Sequence, residues 1–186
     1  MINHKNKFIF IHIPKCGGNS IKSPLGIKGH HHSAISEKKY SNHMDYFKFT
    51  FVRNPWDRFL SAYSYLKAGG FGNKLDLNLK QKIESYDSFE EFILKAPFLT
   101  YLHFEPMFKL IQIDGEDRMD FIGRVENYQE DFDIICDKIG VPRKELPHTN
   151  KSKHKHYTEY YNDQTRKLIA QFYSKDVDYF GYKFGE

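Results

Sequence analysis

The stretch Phe8-Ile-Phe-Ile-His-Ile-Pro14-Lys15-Cys16-Gly17-Gly18-Asn19-Ser20 constrains this chain more than any other. Its apolar run, rich in isoleucine and phenylalanine, reads as a buried strand. The strand stops at Pro14, which has no N–H to give to a sheet ladder. Lys15, two glycines and two small polar residues follow. Gly17 and Gly18 let the backbone approach a ligand closely and adopt positive φ, while Asn19 and Ser20 suit a helix N-cap or first turn. A helix N-terminus presents free N–H groups and the positive end of the helix dipole, which suits phosphate or sulfate. The segment therefore predicts a strand, a loop and a short helix around an anion, with Lys15 adding a full charge. The ATP-binding loop G-x-x-x-x-G-K-[ST] carries its lysine after the glycines; here the lysine precedes them, and that motif is not matched. A tight strand-to-helix turn with a solvated lysine accounts for the same residues.

The rest of the chain repeats the alternation of strand and helix. Residues 25–28 read as a short strand, followed by His30-His31-His32 and a helix over 34–42 with Ser33 as N-cap and Glu37 at capping-box spacing. Residues 46–52 are a strong buried-strand candidate ended by Arg53-Asn54-Pro55, and Pro55 opens a helix carrying Trp56, Phe59, Leu60 and Tyr63 at helical spacing. The glycines of 69–72 break it. Residues 73–96 read as helical with an N-cap at Ser88, and 102–113 as helix or loop. A strand is predicted over 120–125, a helix over 126–139 closed by Gly140, a polar basic loop over 147–158, and helices over 163–173 and 174–180. Continuously apolar strands alternating with helices predict a three-layer, P-loop-like α/β fold, with a central parallel sheet and helices on both faces. At 186 residues it fits a single domain over 1–186. Ligands in such folds sit at the carboxyl ends of strands, and 15–20, 30–32 and 53–61 all fall at such ends.

Composition narrows the class. Apolar residues make up 40% and charged residues 28%, with 17% aromatic, which predicts a soluble globular protein with an aromatic-rich core. The net charge of +4 favours an anionic ligand without arguing for nucleic acid. Cys16 and Cys136 are the only cysteines, too few for a disulfide framework or a zinc site. Cys16 could be a nucleophile, but its loop holds no acid or histidine to activate it; Cys136 falls on an apolar helical face and reads as core. No apolar run approaches a membrane span. With the first strand beginning near residue 8, a signal peptide has no room before it, so a cytoplasmic location is expected.

The second informative stretch is Phe51-Val52-Arg53-Asn54-Pro55-Trp56-Asp57-Arg58-Phe59-Leu60-Ser61-Ala62-Tyr63. A guanidinium fork at a strand end suits phosphate bidentately, and the Ser61 hydroxyl, two helical turns on, could share the anion. Arg53 could equally pair with Asp57, and Ser61 could be a small packing residue. Together with the first stretch, these residues resemble the carbohydrate (membrane-type) sulfotransferases that use PAPS, 3′-phosphoadenosine 5′-phosphosulfate. His103-Phe104-Glu105-Pro106 is similar to that family's His-Trp-x-Pro segment. Phe121-Ile122-Gly123-Arg124-Val125-Glu126-Asn127 with Asp131-Phe132 resembles its next block, and Asp178-Tyr179-Phe180-Gly181-Tyr182 its usual end. The resemblance runs in order over nearly the whole chain.

The resemblance implies a sulfuryl transfer from PAPS to a hydroxyl of a carbohydrate or other small acceptor, releasing PAP, with no metal. It implies that Lys15 and the backbone of Cys16, Gly17, Gly18, Asn19 and Ser20 hold the 5′-phosphosulfate, and that Arg53 and Ser61 hold the 3′-phosphate. Lys151, Ser152 and Lys153, beside Asn150, could close over the nucleotide or form a solvated basic loop. The base that takes the acceptor's proton is expected at His31, with His32 second, because histidine titrates near neutral pH and this spacing is similar to the family's catalytic segment. His103 and Glu105 are expected on the acceptor side, and residues 64–118, the least family-like part, around the acceptor cleft and any lid. Asn19 stands where threonine is common, and Glu105 and Met107 where a basic residue and glutamine are more usual, so the acceptor is not named. Without a membrane anchor or cysteine pairs, the chain resembles a short soluble member, with no nucleic-acid partner, no stable membrane insertion and no readable oligomeric state. A P-loop-like nucleotide kinase and a non-catalytic module for anions or nucleic acid are the rival readings.

Overall fold

The computed structural model describes residues 1–27, 41–96, 101–113, 116–147 and 155–186. The chain forms two compact units: one from Met1–Arg53 with Pro106–Lys151, the other from Asn54–Glu105 with Ser152–Glu186.

The first unit is built on a mixed, mainly parallel sheet flanked by helices. Strand β1 (Ile2–Asn3) pairs antiparallel with β2 (Phe8–Ile11), which pairs parallel with β3 (Phe47–Val52). Two short strands, β4 (Gln112–Ile113) and β5 (Glu116–Asp117), form a separate antiparallel pair, and β6 (Phe121–Arg124) completes the main sheet beside β3, in parallel. The main order is β1-β2-β3-β6, so the predicted parallel sheet holds for β2, β3 and β6, and the edge strand β1 departs from it. All four residues of β2 are buried, which explains its unbroken apolar sequence. Phe10 and Phe49 stack across the β2–β3 pair at 5.0 Å. Lys48 is an exception in this core. Its ammonium bonds the carbonyls of Met44 and Tyr46 and pairs with Asp120 at 2.9 Å, where β3 begins.

Between β2 and β3, the five-residue helix α1 (Gly18–Lys22) is as short as predicted. The strand predicted over 25–28 is not formed over its described residues: 25 and 26 are a turn and Ile27 is irregular. Gly26 adopts φ 63, and Ile27 N–H bonds back to the Lys22 carbonyl at 2.9 Å, which no extended strand allows. Lys28 and the helix predicted over 34–42, up to residue 40, lie outside the described residues; Ser41–His43 is a short 3₁₀ turn.

The second unit is helical among the described residues. Helix α2 (Pro55–Lys67) starts with proline in the first position, as its sequence predicts, and the structure adds a cap: Asn54 accepts from Trp56 N–H at 3.2 Å. Helix α3 (Lys74–Glu84) is capped by Asn73 and α4 (Phe89–Lys95) by Ser88, so the predicted helical stretch over 73–96 is two helices. Back in the first unit come α5 (Met107–Ile111) and α6 (Tyr128–Ile139). The latter is closed by Gly140 and buries Cys136 with Phe132, Ile135 and Ile139. The second unit ends with α7 (Asp163–Phe172), held by a capping box of Asn162 and Thr165, and α8 (Ser174–Phe180). Its core is aromatic, as the composition predicts. Phe59 sits 5.0 Å from Phe104, with Phe92, Tyr63 and Tyr173 around them. Among the described residues, no helix is long and apolar enough to cross a membrane.

Candidate active site

The sheet edge where β2 and β3 end carries the first group of predicted residues. Ile11 of β2 pairs with Thr50 of β3, so Pro14 and Arg53 leave the sheet on the same side. Thr50 ties the two strands there by donating its buried hydroxyl to the Ile11 carbonyl at 2.8 Å. Beyond Pro14, Lys15 adopts φ 67, a left-handed conformation that costs a non-glycine residue about 1 kcal/mol. Gly17 follows at φ 75 and serves as N-cap of α1. A Cβ at Gly17 would strike the Tyr128 hydroxyl, and one at Gly18 would strike the His12 ring. The two glycines are therefore required by what lies beneath the loop, and they leave its backbone bare of side chains. Asn19 is exposed and Ser20 is buried, with Ser20 N–H bonding the Gly17 carbonyl at 2.9 Å.

Arg53 joins this loop directly. Its Nη1 donates to the Lys15 carbonyl at 3.3 Å, and both residues are partly exposed. Two cationic side chains and a bare glycine loop thus share one edge of the sheet. Cys16, by contrast, is buried, with its Sγ 3.7 Å from Met107 Sδ on α5. It contributes backbone to the loop and packs its thiol inward.

Tyr128, at the start of α6, was not singled out by sequence reasoning. Its hydroxyl donates to the Gly17 carbonyl, and its ring meets Phe51 edge-on at 5.1 Å. Burial pushes its phenol well up, a bond with Ser20 opposes that, and the nearby Cys16 thiol adds to it. The one available signal was its place in the block after β6, and nothing local in the sequence pairs it with Gly17.

Ser61, His103 and Glu105 belong to the helical unit. Ser61 is partly exposed on α2. His103 is only 6% exposed and lies between two tyrosine rings, stacked on Tyr65 at 5.1 Å and on Tyr101 at 4.9 Å. Glu105 gives its backbone carbonyl to Arg58 Nη1 at 2.9 Å. Arg58 is fully buried, so the two arginines of the second motif part company: one ends a strand, the other is core. The predicted His31, His32, Lys151, Ser152 and Lys153 lie outside the described residues.

Beside His103, Asp76 gathers a buried network. Its Oδ1 accepts from the Tyr101 hydroxyl at 2.6 Å, and its Oδ2 from Phe71 N–H at 2.9 Å and Asn73 Nδ2 at 2.8 Å. Burial alone would raise this carboxyl; the bonds from Tyr101, Phe71 and Asn73 and the charge of His103 outweigh it and hold Asp76 below its usual value. Burial, with the Asp76 charge, pushes the Tyr65 phenol up to about 12. A depressed carboxyl stabilises the fold at pH values above its unfolded pKa of about 4, and that contribution is lost as pH falls through the lower folded value. Asp76→Asn is accordingly expected to cost about 2 kcal/mol at neutral pH and to flatten the acid side of the stability curve. Urea unfolding between about pH 7 and pH 3 reads this, and an unchanged acid slope would contradict it.

With this geometry in place, comparison with known proteins fits it. The chain belongs to the sulfotransferase family: the profile described as "Sulfotransferase family" matches residues 1–183. An uncharacterized protein of Archaeoglobus fulgidus is 33% identical over 102 residues, covering 52% of this chain and 70% of that protein. The crystal structure of a sulfotransferase from Alicyclobacillus acidocaldarius aligns over 92% of both chains with a TM-score of 0.51 at 16% identity, a likeness of fold.

Proposed function

We propose that this protein moves the sulfuryl group of PAPS to a hydroxyl of a carbohydrate or other small acceptor and releases PAP. The observation that carries the reading is the Arg53–Lys15 junction. A guanidinium 3.3 Å from the carbonyl of a lysine, at the mouth of a bare glycine loop, offers two separate cations for a ligand with two separated anionic groups. We assign Lys15 and the backbone of Cys16, Gly17, Gly18, Asn19 and Ser20 to the 5′-phosphosulfate, and Arg53 with Ser61 to the 3′-phosphate. Lys151, Ser152 and Lys153 are assigned to the nucleotide, and His103 and Glu105 to acceptor recognition.

In-line displacement at sulfur, like phosphoryl transfer, rests on positioning and charge stabilisation. The acceptor oxygen bonds to sulfur as the bond from sulfur to the 5′-phosphate oxygen breaks. His31, with His32 as second choice, takes the hydroxyl proton. The electron pair of the broken bond stays on the phosphate oxygen, where Lys15 and loop N–H groups stabilise the growing charge. A cytoplasmic setting suits the two cysteines, which are both buried and not joined in a disulfide. Transfer of labelled sulfate from PAPS to a panel of hydroxyl acceptors tests the activity. Arg53→Ala is expected to raise the KM for PAPS roughly a hundredfold, the size of a lost charge-assisted pair. An unchanged KM would remove Arg53 from the donor site.

A further inference from the structure

Four contacts fasten the glycine loop from below. Arg53 holds the Lys15 carbonyl, Cys16 packs on Met107, the His12 ring lies against Gly18, and Tyr128 donates to the Gly17 carbonyl. Of these, the Tyr128 bond acts on the peptide that matters most for an anion. The C=O and N–H of a trans peptide point in opposite directions. A Gly17 carbonyl held by Tyr128 therefore turns the N–H of Gly18 away from that tyrosine, and that N–H opens the first turn of α1, where no intrahelical acceptor exists. Ser20 N–H holds the same Gly17 carbonyl at 2.9 Å from within α1, and the Tyr128 hydroxyl adds a second donor from another element to a glycine at φ 75 that has no side chain to fix it. Preorganised donors stabilise charge because they need no reorientation when it develops.

Tyr128 is well placed to hold the peptide rigidly. Its place is set by α6, which carries it and packs on β3 and β6; the edge-on contact of its ring with Phe51 at 5.1 Å is one of several that this packing makes, so losing it alone leaves the hydroxyl in reach of Gly17. Burial keeps its phenol protonated, so it remains a donor across the range in which an enzyme works. Its hydroxyl also occupies the space that a Cβ on Gly17 would need, which makes the tyrosine and the glycine a matched pair.

We propose that Tyr128 is a positioning residue for donor binding: through the Gly17 carbonyl it aims the Gly18 N–H at the phosphosulfate. This rests on the reading that the loop binds that group. The test uses the full chain with Tyr128→Phe, which keeps the ring and removes only the hydroxyl, and Phe51→Leu, which removes the edge-on contact and keeps the hydroxyl. PAP titration by calorimetry, thermal unfolding and PAPS kinetics are read on each. Tyr128→Phe is expected to weaken PAP binding about tenfold and to lower kcat, as loss of one aimed donor does. Phe51→Leu is expected to lower the melting temperature while leaving PAP affinity within about twofold. If Tyr128→Phe binds PAP as the unaltered protein does, whatever its melting temperature, the positioning role is overturned and the donor reading stands. If Phe51→Leu weakens PAP as much as Tyr128→Phe, packing and not the hydroxyl sets the loop, and the proposal is again overturned. If the unaltered protein binds no PAP, the donor reading and the role of Tyr128 both fall.

Discussion

Lys15→Ala is expected to lower kcat by about two to three orders of magnitude, the range seen when a charge-stabilising group is removed from a transition state. PAP affinity should change by less than about tenfold, because an interaction strongest in the transition state contributes little to ground-state binding. The structure makes the variant a clean probe. Arg53 bonds the backbone carbonyl of Lys15, which alanine keeps, so the junction between loop and guanidinium survives. The left-handed φ of 67 is strained for alanine as it is for lysine. Lys15→Gly removes that strain as well as the charge; it should lose rate to the same extent and so separates charge from conformation. An unchanged kcat in both variants would take Lys15 out of the chemistry.

Arg58→Ala is expected to destabilise the protein by about 4 kcal/mol, enough to unfold a marginal domain. Arg58 is fully buried, and its Nη1 holds the Glu105 carbonyl at 2.9 Å. Tyr173 works on the same segment by donating to the Phe104 carbonyl at 2.7 Å, and its phenol feels the charges of both Arg58 and the buried Asp176. Truncation takes the Arg58 donor from a part-buried carbonyl, removes a cation beside the Tyr173 phenol, and opens a cavity in the core. Arg53→Ala, by contrast, removes a partly exposed side chain whose bond to the Lys15 carbonyl is long, at 3.3 Å, and should change stability by about 1 kcal/mol. Urea unfolding of the two variants side by side checks the contrast. Equal losses would mean that the two arginines of this motif are both structural.

That contrast shows what the sequence could and could not reveal. Strands β2 and β3, the helix from Pro55, the cap at Ser88 and the stop at Gly140 follow from local rules, and each is where those rules put it. The strand predicted over 25–28 failed because Gly26 at φ 63 turns the chain, and one glycine between two apolar residues reads either way. The loop of Lys15 to Ser20 and its neighbour Arg53 were legible because strand ends place them on one edge of the sheet. Tyr128 was not, since its partner Gly17 is 111 positions away and no local pattern links them. Arg58 lies in the same motif five positions after Arg53, and nothing local marks it as core, because burial is decided by tertiary packing and not by composition. His103, expected on the acceptor side, is held between Tyr65 and Tyr101, a stack whose members are spread over two separate segments.

The central claim is that the loop and Arg53 bind a nucleotide with phosphates at both its 3′ and 5′ positions. Calorimetric titration of the unaltered protein with PAP and, separately, with ATP and magnesium tests this most directly. The account predicts saturable binding of PAP at one site, with ATP weaker by at least about tenfold because it brings no 3′-phosphate to Arg53. ATP–magnesium binding as tight as PAP or tighter, or no binding of PAP at all, would contradict it.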